Sequence, residues 1–303
     1  MKSNDTYLNI LISFAYAGTN QRFTDSAFQK SMAGDVNLML DSGAFTLFNA
    51  KQNRDWLTLD NYCKYLEQYG SQCEKYVMLD VIGNHEKSKQ NYEVMVKRGL
   101  SPMFVFTMAD DDYSYLKDTV KINRHICVAG GVTSKGKWMK KRFQDVYRHT
   151  NGLIHGLGYV AYPSMYQLPL HSVDSSSWVQ GAQVYGHIVW FEGKKYAVHR
   201  KELLKKNSKM PMGLIKVLEE LKITPSDFQK EENHRGSSSI GALLSVLAYV
   251  KFQKYSKRLG LDLFLAIANV EQLEYLFFVA NEYETGNLTY ERWKNYKKIQ
   301  KQA

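Results

Sequence analysis

The chain has 303 residues, a formal net charge of +10 at pH 7, and a composition that is 44% hydrophobic and 23% charged. That much apolar material excludes a disordered chain, and the length suits one large α/β barrel or two modest domains. A pI near 9.2 points towards polyanionic partners, nucleic acid first among them, with simple solubility as the plainer account.

No stretch reaches the roughly 18 apolar residues of a membrane span. The apolar run near the N-terminus is short and broken by Asn9 and Ser13, so it reads as a strand and not as a secretion signal. Cys63, Cys73 and Cys127 have no C-x-x-C spacing, which suits a reducing cytoplasm and offers no structural zinc set.

In chain order, the first predicted strand is 6–16 and the second 37–45, ending in "MLDSGAF" with Asp41. A helix over 59–70 places Leu59, Tyr62, Tyr65 and Leu66 on one side. The third strand, 75–83, carries "VMLDVIG" with Asp80; His85 then opens a helix over 86–99 that Gly99 caps. Strands follow at 101–108 and at 125–132, the latter ending "VAGGV". The helical stretch 133–150 turns Trp138, Phe143 and Val146 to one side, and strand 153–160 contains "HGLGY". Strand 170–178 carries "LHSVDSSS" with Asp174, and 183–193 reads as one more strand in a hairpin turning at Glu192-Gly193. After Pro211 the pattern is mostly helical, at 212–222, 237–259, 269–283 and 288–301.

Continuous apolar strands alternating with helices imply a parallel sheet covered by helices. Seven strands plus 183–193 would close a TIM (β/α)8 barrel with a helical C-terminal extension; a doubly wound open sheet is the alternative. The expected division is a catalytic barrel core over 1–200 and a mostly helical part over 201–303, completing the barrel or forming an appendage.

Burying a carboxylate is costly, so three strands that finish in aspartate call for a reason. In a parallel barrel, strand ends meet at a common mouth, where Asp41, Asp80 and Asp174 would face one pocket. The plainer account is that each caps a turn or helix. Clustered carboxylates can hold an oxygen-ligated Mg²⁺, or divide nucleophilic and acid–base work in glycosyl chemistry. On the second account Asp174, among Ser172, Ser175, Ser176 and Ser177, is the ionised nucleophile, and Asp41 in its more apolar setting is the acid. Asp80 could accept from the N1–H and amine of a guanine edge. His171, three residues before Asp174, could orient it or contact a phosphate.

These motifs resemble the tRNA-guanine transglycosylases. "LDSGAF" is similar to their "DSGGF/Y" signature with Ala44 for the second glycine, and "MLDVIG" falls where they carry a base-recognising aspartate. "VAGGV", "HGLGY" and "HSVDSSS" follow in the family's order over residues 36 to 180. The resemblance implies a TIM barrel that exchanges guanine in nucleic acid for a 7-deazaguanine. It assigns Asp174 as nucleophile at C1′, Asp41 as acid–base and base-contacting group, and Asp80 as reader of the guanine edge. Phe45 would stack on the base, with the Gly130–Gly131 backbone bonding it and Ser42, Gly43 and Gly156 in the same binding motifs. His155 stands where the tRNA enzymes have a methionine that stacks on the other face. The family's C-x-C-x-x-C…H zinc site is missing, since no cysteine follows Cys127. A compact, zinc-less chain looks like the 7-deazaguanine DNA transglycosylases, more the small phage type. The implied partners are DNA and a preQ0-like or preQ1-like base, in a cytoplasmic setting, with no metal or redox cofactor and no membrane. The same chemistry on tRNA and a non-catalytic nucleic-acid-binding barrel remain as alternatives, with a metal-dependent barrel hydrolase more distant.

Overall fold

The computed structural model describes residues 8–49, 54–107, 109–130, 136–179, 186–205, 209–230, 234 and 239–302. The strands β1 (Leu8–Ser13), β2 (Val36–Asp41), β3 (Lys75–Tyr76), β4 (Phe104–Thr107), β5 (His125–Ala129), β6 (Leu153–Leu157) and β7 (Leu170–Ser175) come first. A hairpin of β8 (His187–Phe191) and β9 (Lys195–His199) follows, and β10 (Asp262–Ile267) comes late in the chain. All but the hairpin strands lie in one curled, eight-stranded parallel sheet, in the order β3-β2-β1-β10-β7-β6-β5-β4. This is the order of a TIM-like barrel whose full ladder stops between β3 and β4. One parallel bridge, Val77 to Met103, spans those two strands; Met103 N–H donates to the Tyr76 carbonyl at 2.8 Å and Met78 N–H to the Met103 carbonyl at 3.0 Å.

The strands read as unbroken apolar runs because both faces are covered: every residue of β1 is buried, as are Val36 to Leu40 of β2. Ile10, Ile12, Leu38, Leu40, Ile126 and Val128 are sealed from solvent, each burial contributing roughly 1.5–3 kcal/mol. Side chains start the intervening helices: Asn20 caps Gln21–Met32, Thr58 caps Leu59–Tyr69, Asn84 caps His85–Lys97 and Asp112 caps Tyr113–Ile122. Gly99, left-handed at φ 80°, closes the third of these. Helix Gly136–Thr150 buries Met139, Phe143 and Val146 but leaves Trp138 exposed, contrary to the expected apolar side.

The eighth parallel strand is not 183–193. Residues 183–185 lie outside the described residues, and His187–Phe191 pairs antiparallel with Lys195–His199 in a separate two-stranded sheet, turning at Gly193. The place falls to β10, "DLFLAI", which pairs Leu265 with Ile10 on one side and Phe264 with Asp174 on the other. A run this apolar satisfies a strand flanked on both edges and covered on both faces.

The chain forms two compact units, and neither is continuous in sequence. Among the described residues, one compact unit holds the chain from Leu8 to Ser175 together with Lys257–Gln272. The other holds Ser176–Ser256 and the chain from Leu273 on, with the hairpin, Met212–Glu220, Pro225–Gln229, most of Ile240–Arg258 and Val270–Glu284, and Tyr290–Gln302. Among the described residues no helix is long and apolar enough to cross a membrane.

Candidate active site

In a parallel sheet the carboxyl ends of all strands lie on one side. Asp41 is the last residue of β2, Asp80 follows β3, and Asp174 is the last but one of β7. Electrostatics places them together: the charge of Asp174 acts on Asp41, and that of Asp41 on Asp80. Cys127, fully buried in β5, has its thiol pushed well up by burial and then by Asp174, Asp41 and Asp80 in turn.

Each carboxylate has its own surroundings. Burial raises the pKa of Asp41, a hydrogen bond with Ser13 and the Gly43 N–H (2.9 Å) work against it, and the negative charge of Asp174 raises it further. Gly43 is left-handed at φ 85°, and a Cβ there would lie 2.6 Å from the Ala15 Cβ, so the turn that aims its N–H at Asp41 admits glycine alone. Asp80 is pushed up to about 7, first by burial and then by Asp41, with Asp110 adding to the effect. Its loop is anchored from the following helix, where the Ser88 hydroxyl accepts from Val81 N–H at 2.8 Å and Asn91 donates to the Leu79 carbonyl at 2.9 Å. Asp110, buried after β4, accepts from Thr107 N–H at 2.5 Å and pairs with His85 Nδ1.

Asp174 is held differently. Its Oδ1 accepts from Gly158 N–H at 2.6 Å and lies 3.2 Å from His155 Nε2, while His155 Nδ1 lies 2.9 Å from the Ser172 hydroxyl. His155 and Ser172 are fully buried and Asp174 nearly so. One site thus combines a carboxylate fixed by two donors with two whose pKa values are raised by burial and by neighbouring carboxylates. Such unlike carboxyl groups can share nucleophilic and acid–base work.

Several expected site residues lie elsewhere or act otherwise. His155 is inside the sheet under Asp174 and has no open face on which to stack a base. Gly156 points away from the centre, since a Cβ there would meet Tyr159, Phe143 of helix Gly136–Thr150 and Leu170. His171 sits at the amino end of β7, its ring 5.5 Å from His125 and its charge environment set by Lys75 and Asp262, so it does not join Asp174. Three residues of extended strand put it about 10 Å down β7 from Asp174, and Ser172, not His171, stands opposite His155. Ser42 is sealed from solvent, with no hydrogen-bond partner for its hydroxyl among the described residues. Phe45 lies in the first turn of the short helix Ala44–Phe48, just after Asp41, and is 59% exposed, open to a flat ligand. Gly130 leaves room for Met139, and Gly131 lies outside the described residues, as do 133–135 and 206–208 within the lysine-rich runs 133–142 and 194–209.

The sequence reading missed Ser13, Cys127, Asp110 and Gly158. Only Gly158 had a signal, as the second glycine of "HGLGY"; at φ 64° it turns its N–H onto Asp174. His234 is buried with Nε2 2.6 Å from the Phe228 carbonyl, and Ser239 accepts from Ala242 N–H, an ordinary helix start. No group of three or more histidine, cysteine or acidic side chains among the described residues could hold a metal ion. No protein-family model matches the chain, and no curated protein matches it.

Proposed function

We propose that the chain is a transglycosylase that exchanges guanine in DNA for a 7-deazaguanine base, on a (β/α)8 barrel of the tRNA-guanine transglycosylase type. The observation that carries this reading is the meeting of Asp41, Asp80 and Asp174 at the carboxyl end of the parallel sheet, in three unlike environments around Cys127. A metal-free displacement at an anomeric carbon needs that set: a fixed nucleophile, a proton donor and a polar reader of the base.

In the reaction, Asp174 attacks C1′ of deoxyguanosine. The C1′–N9 bond breaks, its electron pair leaves with guanine, and Asp41 supplies the proton that makes the departing base neutral. Asp41, now a carboxylate, takes the N9 proton of the incoming 7-deazaguanine. N9 then attacks C1′ and expels the Asp174 carboxylate, so two inversions keep the β configuration. Asp80, once ionised, accepts from N1–H and the exocyclic amine of either base. The target guanine has to leave the duplex stack first, at a cost of a few kcal/mol that phosphate contacts from a chain of charge +10 offset.

The test is nucleoside mass spectrometry of DNA and tRNA from cells expressing the chain with a 7-deazaguanine supply. A deazaguanine nucleoside in DNA that disappears with Asp174→Ala is the expected result. Its appearance in tRNA alone would replace DNA by tRNA as the substrate, and its absence from both would remove the base-exchange reading.

A further inference from the structure

Carboxylates at a reacting centre have two oxygens, and here the two are not equivalent. Asp174 Oδ1 takes both donors, Gly158 N–H at 2.6 Å and His155 Nε2 at 3.2 Å. No hydrogen bond reaches Oδ2 among the described residues. A carboxylate oxygen only accepts, so His155 carries its proton on Nε2. In the neutral ring Nδ1 is then an acceptor, and the Ser172 hydroxyl at 2.9 Å is the donor that fills it. The ring has little freedom to do otherwise: it is fully buried, and the edge-to-face contact with Phe264 sets the two centroids 6.3 Å apart. Ser172, His155 and Asp174 form a chain of bonds running up the inside of the sheet and ending on one oxygen of the carboxylate.

We infer that His155 is a positioning residue for base exchange: with Gly158 it reserves Oδ1 of Asp174 for the protein, leaves Oδ2 as the attacking atom, and stabilises the carboxylate when it is expelled. This rests on the base-exchange reading and assigns the two half-reactions different needs. In the first, Oδ2 forms the bond to C1′ while guanine takes the C1′–N9 electron pair. In the second, N9 of the incoming base bonds to C1′ and the C1′–Oδ2 electron pair returns to Asp174. The negative charge reappears on the carboxylate, and donors already aimed at Oδ1 stabilise it without reorganising. Donors to a carboxylate make it a better leaving group and a somewhat weaker nucleophile. Losing the histidine therefore slows breakdown of the glycosyl-enzyme more than its formation.

The experiment is a single-turnover assay on a guanine-containing oligonucleotide, following the covalent protein–DNA species as it forms and as added 7-deazaguanine consumes it. His155→Leu is expected to slow consumption roughly 10- to 100-fold, the worth of one hydrogen bond to a charged group, with DNA affinity within about twofold of wild type. His155→Gln, whose amide donor lies near the reach of Nε2, is expected to restore most of that rate. Consumption at the wild-type rate in a folded His155→Leu protein, or equal loss in the Leu and Gln variants, would overturn the inference. Ser172→Ala provides a second variant that keeps the ring, with a smaller loss on the same step. Nitrogen NMR of the His155 ring reads the network without any reaction. The expected signature is a protonated Nε2, a bare Nδ1, and a shift of Nε2 in Asp174→Ala; a bare Nε2 at neutral pH overturns the inference. Should the signature stand while wild type forms no adduct with any DNA, the base-exchange reading falls and the assignment of Oδ1 survives it.

Discussion

The two ends of the parallel sheet both carry charged residues in buried positions, and they treat them in opposite ways. At the amino ends the charges are matched. Asp262 at the start of β10 accepts from Lys257 at 2.7 Å and from Asn9 of β1 at 3.2 Å, and Asn9 in turn accepts from Asn37 of β2 at 3.1 Å. Lys75, buried at the start of β3, pairs with Glu74 at 2.5 Å. Burial and the nearby Lys75 push His125 down to about 4 and lower His171, so both rings are neutral at pH 7. At the carboxyl ends, three carboxylates repel one another, and among the described residues no lysine or arginine pairs with any of them. The amino end spends its polar groups on holding strands in register. The carboxyl end gathers carboxyl groups with no lysine or arginine to match them, which disfavours their charged forms.

Removing a carboxylate at each end should therefore separate chemistry from stability. The largest effect is expected from Asp174→Ala, which takes away the proposed nucleophile. Exchange should fall by at least about 10⁴-fold, and the covalent protein–DNA species should vanish. The thermal transition should stay cooperative. An adduct of undiminished yield in the variant would remove Asp174 from the role.

Asp80→Asn comes next, and its two consequences have opposite signs. An amide offers guanine one acceptor and a clashing donor, so exchange should drop about 10²- to 10³-fold. The fold should gain. Asp80 titrates near 7 in the folded chain against an unfolded value of about 3.9. A raised carboxyl pKa means that its protonated form stabilises the fold below about pH 4, and that this contribution is lost as pH rises through about 7. At pH 8 the variant escapes the buried charge, and urea unfolding should show it more stable by on the order of 1–3 kcal/mol. The same titration gives a rate profile in wild type. Guanine recognition needs the ionised form, so kcat/KM for guanine-containing DNA should fall about tenfold per pH unit below 7. A profile flat between pH 5 and 8 would take Asp80 out of base recognition.

The contrast between the ends also explains what was legible beforehand. Runs such as Val77-Met78-Leu79-Asp80 announce themselves, because an apolar strand ending in a carboxylate is chemically odd wherever it occurs. Side-chain direction does not. Whether His155 or Gly156 faces the centre is read from the pairing of β6 with β7, where His155 stands opposite Ser172, and His171 lies about 10 Å down β7 from Asp174. β10 escaped because "DLFLAI" sits between two long helical stretches, where a short apolar run has no period of its own, while "HIVWF" offered a more obvious strand. Membership of the sheet is decided by edge pairing with β1 and β7, which a single sequence does not display.

At the amino end the expected pattern reverses. Asp262→Ala withdraws the acceptor shared by Lys257 and Asn9 and should cost roughly 1–3 kcal/mol in urea unfolding. Single-turnover exchange, measured where the variant is fully folded, should remain within about twofold of wild type. Lys257 contributes little of that cost, since its side chain is 68% exposed and such pairs are worth at most about 1 kcal/mol. A loss of exchange as large as that of Asp80→Asn would mean that the two ends are not independent.

Among the carboxyl-end residues the smallest effect is expected from the one that touches Asp174 most closely. Gly158 bonds Asp174 through its backbone N–H, which every residue but proline possesses. Its φ of 64° is open to alanine at about 1–2 kcal/mol, and a Cβ there would meet nothing within 4 Å. Gly158→Ala should thus lower stability by about that amount and leave exchange within about threefold, because the donor to Oδ1 is kept. Gly43→Ala shares the left-handed backbone but drives a Cβ to 2.6 Å from Ala15, so the turn must shift and take its N–H off Asp41. Two glycines in two motifs, each donating to one of the clustered carboxylates, should then differ in consequence for a steric reason alone. Equal losses of exchange in the two alanine variants would show that the left-handed turn itself, and not the room beside it, sets the position of each carboxylate.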